Sequence, residues 1–583
     1  SDDNNIEIID NFQKQLASCF VQNNFTHVQG NAILKVLISH SCFSYLPKDV
    51  RTLLKTPSNT GEIVKFEDGE YVHIGFEVSI IAKLSNMHSH AIPLSLEIDI
   101  STDGAQLHRN GKIQIWPIQF RIYNITDNSP GIVGIYKGYK KPNNPNIFFK
   151  YFIEEIKKIS NARGIVYRNK LIPIIYRSFI ADAPARAFIL NHKAHNAKYP
   201  CSKCRVSGLY LNGVMSFLGT IHEPRTDNEY AQWIYSNHHN NEIISPLLQI
   251  PLNMVSQVPF DYMHLVCLGV VKRLCKAWLI GNFTKSAKLS ARHIDLISSR
   301  LESIQKYCPV EFSRPPRSLK DWRDYKATEF RQFLLYTSPV VLSGILQEDV
   351  YLHFLLLHTS IRILISSTYS QKLLHFSDIA LKKFVLLSEN IYGKDFISYN
   401  IHGLLHLTED VKRFGPLDTI STFPFENKIP FIRKYIRKPH LPLQQFIRRM
   451  SEYHGQSIHY EKLTMNNHIR VSQSHESGPL IQNEIFLLCK QYRKLEYNNM
   501  IFSLRLNNNC CLLKCSSICL IQNILIADEQ YYFIVKKFKY VKHFYDVGIL
   551  SDKVEFFLCS ELLNNEIVPL TNVVTKCYRM PFF

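Results

Sequence analysis

Glu97-Ile98-Asp99-Ile100-Ser101-Thr102-Asp103-Gly104 reads as a strand that runs out into an acidic turn, and Phe179-Ile180-Ala181-Asp182-Ala183-Pro184 reads as a strand that runs into a helix. The elements between them decide the fold. Residues 94–100 are the first strand and 113–122 the second, joined through a polar, glycine-containing turn at 108–111. Residues 131–139 are a third strand, 148–159 carry a helical period, 171–180 are a fourth strand, and 183–191 begin a helix. The order is β-β-β-α-β-α, with an aspartate at the end of the first strand and another at the end of the fourth. Taken alone, each acid has a simpler reading. An Asp before a helix is an ordinary N-cap, which covers Asp182. Strand alternation puts Asp99, Ser101 and Asp103 on one face, so Asp99 competes with Asp103.

Outward from this block, residues 1–85 read as short helices, with apolar residues at helical spacing over 6–19 and 31–40. Residues 205 to about 400 are long, mixed and mostly helix-like, with loops around 309–316. Residues 401–455 look helical again, with a short strand near 418–423. From about residue 500 the chain turns to short β-like runs at 510–521, 531–538, 554–557 and 566–574. There is no internal repeat and no low-complexity tract.

A chain of 583 residues is too long for one core, so several domains are expected. Hydrophobic residues make up 46% and charged residues 20%, a folded rather than disordered balance. Lys and Arg number 68 against 49 Asp and Glu, a net charge of +19 that points to a polyanionic partner, nucleic acid first. A basic surface without a specific partner is the plainer alternative. The 14 cysteines show no disulfide framework, which favours a reducing compartment. Ser1 to Glu7 are acidic and polar, unlike a signal peptide, and charges or His interrupt every apolar stretch before it reaches membrane-spanning length. The abrupt start is compatible with a trimmed chain whose N-terminal DNA-binding module lies outside it.

Two pairs suggest a metal. Cys201-Ser202-Lys203-Cys204 is a C-x2-C, and His402-Gly403-Leu404-Leu405-His406 is an H-x3-H with both imidazoles on one helical face. Together they match a tetrahedral structural zinc site. Singly, the histidines read as surface or core residues and the cysteines as buried thiols. Position joins them: Cys201 lies 19 residues after Asp182 (201 − 182), and His406 lies 20 residues before Glu426 (426 − 406), in Phe423-Pro424-Phe425-Glu426-Asn427. One zinc would tie together the ends of the 205–401 segment and offset its loop-closure entropy.

Asp-Gly after the first strand, a second Asp shortly before C-x2-C, a large insertion, paired histidines and then Glu resemble the catalytic core of eukaryotic cut-and-paste DDE transposases. The resemblance is closest to the CACTA/Mirage/Chapaev and Kolobok-like groups, and extends to Transib and the V(D)J recombinase catalytic subunit. Further matching stretches are Ala181-Asp182-Ala183-Pro184-Ala185-Arg186-Ala187-Phe188, Pro259-Phe260-Asp261-Tyr262-Met263-His264-Leu265-Val266-Cys267-Leu268-Gly269, Lys326-Ala327-Thr328-Glu329-Phe330-Arg331 and Arg413-Phe414-Gly415-Pro416-Leu417-Asp418. They span roughly residues 90 to 450.

The resemblance implies an α/β RNase H-like core interrupted by a large, mostly helical insertion, with a helical N-terminal region and a small β-rich C-terminal domain. The expected boundaries are 1–89, 90–204 (core, first part), 205–400 (insertion), 401–499 (core, second part) and 500–583. In an RNase H-like sheet the first and fourth strands lie side by side, so their ends can present two carboxylates to divalent metal. The resemblance implies that Asp103, Asp182 and Glu426 bind two Mg²⁺ (or Mn²⁺) and that Cys201, Cys204, His402 and His406 bind structural Zn²⁺. It prefers Asp103 over Asp99. The histidine pair is slightly wider in the V(D)J recombinase. Metal-dependent cleavage at transposon ends followed by strand transfer is the implied activity. Double-stranded DNA (terminal inverted repeats and target), a homodimer or larger assembly, and the nucleus are the implied partners and place.

Arg433, Lys434, Arg437, Lys438, Arg448 and Arg449 follow Glu426 and read as phosphate contacts or as a solvated basic face. Residues 137–141, the turn from Arg109 to Lys112, Trp322 and Arg331 are weaker candidates. Asp261-Tyr262-Met263-His264 resembles a D-x2-H motif of these families, which could serve as an active-site element or an alternative ligand, and its apolar flanks favour a structural role. Cys510, Cys511, Cys515 and Cys519 lack a convincing partner pair and read as core thiols. A transposase-derived DNA-binding protein that does not cut, and a nuclease that does not join strands, are the two rival readings.

Overall fold

The computed structural model describes residues 2–59, 61–66, 68–108, 111–240, 244–455, 469–481 and 489–583. The chain divides into two compact units. One comprises Ser1–His195, Pro224–Asp261 and Ser421–Thr464, and the other Asn196–Glu223, Tyr262–Ile420 and Met465–Phe583.

The first unit is built on one sheet. Its strands are β1 (Ile63–Phe66), β2 (Gly69–His73), β3 (Leu96–Thr102), β4 (Ala105–Gln106), β5 (Gln114–Ile122) and β6 (Gly131–Gly138), followed by the small hairpin β7 (Ile165–Tyr167) and β8 (Lys170–Ile172), and then β9 (Ile174–Ile180). The hairpin β7–β8 stands apart from the main sheet, whose order is β1-β2-β6-β5-β3-β9 with β4 paired to β5. All neighbours are antiparallel except β3 and β9, which run parallel with Ser101 opposite Ile180. Beyond β9 there is no further full strand among the described residues. Phe179 N–H donates to the Gln257 carbonyl at 2.9 Å, and Ala181 bridges Phe260 in parallel.

Strand alternation sorts the residues of this sheet into two faces. Ile98 and Ile100 on β3 and Trp116, Ile118, Phe120 and Ile122 on β5 enter one core, shared with helices Phe76–Leu84, Lys150–Asn161 and Ala183–Ile189. The opposite face receives Val72, Ile115, Ile132 and Ile135. There Ile429, Ile432 and Tyr435 of helix Phe423–Tyr435 and Leu443, Phe446 and Met450 of helix Pro442–Gly455 cover it. Asp99, Ser101, Gln119 and Arg121 belong by the same alternation to the face under helix Phe423–Tyr435.

Several boundaries differ from those read in the sequence. The helical N-terminal region does supply helices Asp2–Gln22 and His27–Ile38, but it also supplies β1 and β2, which extend the main sheet through β6. The 205–400 segment is not one block, because 224–261 packs in the first unit. The strand read near 418–423 is a helical turn, Leu417–Ile420, since Pro416 and the positive φ of Gly415 (84°) bend the chain there.

The second unit contains the antiparallel pair of helices Glu348–Ile365 and Leu374–Tyr392 and an eight-stranded sheet that begins at Arg470, earlier than the boundary near 500. Polar contacts link the sheet's connections and edge to the rest of this unit. Arg362 donates to the Val554 carbonyl at 2.8 and 3.0 Å, and Lys576 pairs with Glu311 at 2.7 Å. Cys511 and Cys519 face each other across neighbouring strands with their sulfurs 3.3 Å apart, inside the core of that sheet. Among the described residues, no helix is long and apolar enough to cross a membrane.

Candidate metal sites and active-site cleft

In the first unit, β3 ends at Thr102 and Asp103 follows, its Oδ1 accepting from the Gly104 amide at 2.6 Å. Gly104 fits because a Cβ there would come 2.5 Å from the Trp116 indole. Helix Phe423–Tyr435 turns Phe425, Ile429, Ile432 and Tyr435 into the core, which sets Glu426, Pro430 and Arg433 along one edge of the helix. These two elements enclose a cleft of about 320 Å³ lined by Ser101, Asp103, Gly104, Ala105, Gln119, Thr422, Phe425, Glu426, Ile429, Pro430 and Arg433. Asp103 and Glu426 each offer a carboxylate oxygen within 4.8 Å of the other's.

The start of the Glu426 helix is held by Asp261. This buried carboxylate accepts from the Thr422 amide at 2.7 Å and from the Thr422 hydroxyl at 2.8 Å. The first half of the D-x2-H stretch is therefore a positioning element for Glu426. His264 lies in the other unit, on helix Met263–Val271.

Asp99 and Asp103 part company. Asp99 has no solvent exposure, and Arg121 (2.5 Å), Arg177 (2.8 Å) and the Ser178 hydroxyl (2.5 Å) all hold it. Its oxygens are committed to a buried ion-pair network, whereas Asp103 opens on the cleft. Asp182 caps helix Ala183–Ile189, its Oδ1 accepting from the Ala185 amide at 2.7 Å. The β3–β9 register carries Asp103 and Asp182 to the same end of adjacent strands. Asp182 is nevertheless outside the group of converging ligand atoms that contains Asp103 and Glu426. Arg186, from the same stretch, is buried, stacks on Phe260 and donates to the Val258 and Pro259 carbonyls, so it braces the segment beside β9.

The basic residues after Glu426 divide as well. Arg433 lines the cleft and donates Nε to the Gln106 carbonyl at 2.9 Å. Lys434 and Lys438 are exposed, as is Arg448, whose Nη2 approaches the Ser58 carbonyl at 3.5 Å. Arg437 turns inward and binds the Asn24 carbonyl and side chain, both at 2.7 Å. Arg449 pairs with buried Glu452 at 2.9 Å, a carboxylate that His27 and Thr56 also contact. The weaker candidates are mostly engaged: Lys137 with Glu70 at 3.3 Å, Arg331 with Asp418 at 2.8 Å, and Trp322 with the core. Arg109 lies outside the described residues.

In the second unit the four expected zinc ligands meet. Cys201 Sγ lies 3.5 Å from His406 Nε2, Cys204 Sγ lies 3.3 Å from His402 Nε2, and the two Nε2 atoms are 3.3 Å apart. A tetrahedron with Zn–N of about 2.0–2.1 Å and Zn–S of about 2.3 Å has edges of roughly 3.3 Å between nitrogens and roughly 3.6 Å between sulfur and nitrogen. The four atoms therefore have the spacing of a ligand shell. His402 ends helix Tyr399–Gly403 and His406 the single turn Leu404–His406, so a break in the helix still leaves both imidazoles on one side. Lys203 pairs with Asp410 at 2.9 Å, fixing the cysteine turn to helix Leu407–Phe414. Burial alone would raise the Cys201 thiol pKa, but hydrogen bonding with Cys204 and the charge of His406 hold it well below the ordinary range. Burial lowers His402. A thiolate and a neutral imidazole are the forms that bind zinc.

Ser101 and Gln119 are not singled out in the sequence as site residues, whereas Asp261 is, with a structural role favoured. The alternation that grouped Asp99 with Asp103 also contained Ser101, and the same rule on β5 would have added Gln119.

A family model described as a domain of unknown function (DUF8592) matches residues 474–582, which lie in the β-rich part of the second unit. A search of curated proteins finds no match.

Proposed function

We propose that the chain is a DNA transposase that cuts and joins phosphodiesters by the two-metal DDE route, with Asp103, Glu426 and Asp182 as its acids on an RNase H-like sheet. The observation that carries this reading is the cleft in which an acid at the end of a central strand meets one from the helix laid across that strand. The strand order β6-β5-β3-β9, with only β9 parallel to β3, supports the RNase H-like part. The net charge of +19 supports a nucleic-acid substrate.

The donor set of the cleft suits a hard cation. It offers carboxylate oxygens and buried neutral oxygens, and no sulfur. When bound, Mg²⁺ or Mn²⁺ supplies charge neutralisation at the scissile phosphate and makes an oxygen nucleophile available at neutral pH. The chain's residues do the positioning. Asp103 and Glu426 would hold the cation over the end of β3, Asp261 fixes the height of Glu426, and Arg433 offers a guanidinium at the rim for a phosphate oxygen. Cys201, Cys204, His402 and His406 would hold a structural zinc that closes the second unit on itself. One observation favours the rival reading of a DNA-binding protein that does not cut: Asp182 serves as a helix cap outside the acidic pair.

A single assay separates these readings. The protein is incubated with a labelled duplex of the element's terminal repeat, a target plasmid and Mg²⁺ or Mn²⁺. Cleaved and joined products are expected from the wild type and neither from Asp103→Asn or Glu426→Gln, with duplex binding retained. Cleavage without joining would favour a nuclease, and binding without cleavage would exclude the catalytic reading.

A further inference from the structure

We infer that Ser101 and Gln119 form an outer-shell seat for a hydrated divalent cation in the β3 cleft, so that the site takes its ion with part of the water shell intact. This rests on the reading of Asp103 and Glu426 as cation ligands. Ser101 and Gln119 face each other across β3 and β5 in direct register. Each is 1% exposed, and both line the cleft that holds Asp103 and Glu426. Ser101 Oγ and Gln119 Oε1 are buried without a hydrogen-bond partner. Protein interiors rarely leave such atoms unsatisfied, and here two of them belong to residues in direct register that line one cleft. Deeper on the same face, Asp99 is met by Arg121, Arg177 and Ser178.

The chemistry of the two oxygens suits such an occupant. A carboxamide oxygen only accepts hydrogen bonds, and a hydroxyl oxygen can accept. Water held by a cation turns its lone pairs to the ion and its hydrogens outward, so it needs acceptors. The cleft of about 320 Å³ has room for several waters at roughly 30 Å³ each. Magnesium in particular gives up its waters reluctantly and is held by few carboxylates.

The test is Mn²⁺ binding to the zinc-loaded full chain without DNA, read from the electron-spin-resonance signal of the free ion. Saturable binding is expected for the wild type, with a large loss in Asp103→Asn. Gln119→Leu and Ser101→Ala are expected to raise the Mn²⁺ Kd about tenfold, the effect of removing an outer-shell partner. Gln119→Glu keeps an acceptor and adds charge, so it is expected to bind at least as tightly as the wild type. Unchanged affinity in Gln119→Leu and Ser101→Ala beside a loss in Asp103→Asn would overturn the outer-shell role and leave the cation reading standing. Wild-type binding in Asp103→Asn would sink both. Should Gln119→Leu fail to fold, weaker binding by Gln119→Glu would by itself contradict the proposal.

Discussion

Two aspartates four residues apart on one strand do different work, and the difference is one of solvation. Asp99 is fully buried, pairs with Arg121 and Arg177, and accepts from the Ser178 hydroxyl. Asp103 stands where the strand ends and opens on the cleft. Removing one partner of a buried ion network leaves the others uncompensated, so Asp99→Ala is expected to lower unfolding stability by about 3–5 kcal/mol. Asp103→Asn should cost far less stability while abolishing catalysis. Urea unfolding of the two variants checks this, and similar losses from both would show that Asp103 is a packing residue too.

At the level of elements, the helices after Glu426 are fixed by polar anchors at their ends. Glu452 ties helix Pro442–Gly455 to the N-terminal helices through His27 (2.9 Å) and Thr56 (2.5 Å), and pairs with Arg449 (2.9 Å). Burial alone would raise its pKa, but hydrogen bonds from His27 and Thr56 and the charge of Arg449 outweigh this and hold it below the ordinary value. A carboxylate with a depressed folded pKa stabilises the fold above its unfolded pKa of about 4.3, and that contribution disappears as pH falls through the folded value. Glu452→Gln is therefore expected to cost about 1–3 kcal/mol near pH 7, with the gap from wild type closing below about pH 4. Thermal melts over that range read it, and a gap that persisted in acid would contradict the charged role. The proposed zinc ligands would act between elements instead, joining the turn at 201–204 to the helical turns at 402–406. Purified protein is expected to carry about one zinc per chain, and Cys201→Ser to lose it together with several degrees of Tm. Full zinc retention by that variant would exclude the site.

On the scale of the whole molecule, local periodicity made much of the fold legible and long-range packing hid the rest. Strands 94–100, 113–122, 131–139 and 171–180 announce themselves by β-branched and aromatic runs, and the structure has β3, β5, β6 and β9 in their places. The hairpin β1–β2 stayed hidden because its strands, Ile63–Phe66 and Gly69–His73, are short and charged, and β2 is completed only by pairing with β6. The return of 224–261 to the first unit was equally invisible, since it depends on contacts such as Tyr230 with the Leu190 carbonyl and Arg186 with the Val258 carbonyl. In the candidate sites, the C-x2-C and H-x3-H spacings picked out Cys201, Cys204, His402 and His406, whose side chains converge, while Asp103, Asp182 and Glu426 came from the family resemblance and only Asp103 and Glu426 converge. Spacing could not tell that Arg437 turns towards Asn24 while Lys434 faces solvent, because a basic run carries no sign of which neighbour will cover it.

Asp103 and Glu426 are proposed to hold a divalent cation together. Anomalous diffraction from crystals of the zinc-loaded chain soaked in Mn²⁺ tests it most directly. A manganese peak is expected in the β3 cleft, in contact with both carboxylates and absent from Asp103→Asn crystals. A map with the zinc peak at Cys201, Cys204, His402 and His406 but no manganese between Asp103 and Glu426 would contradict it.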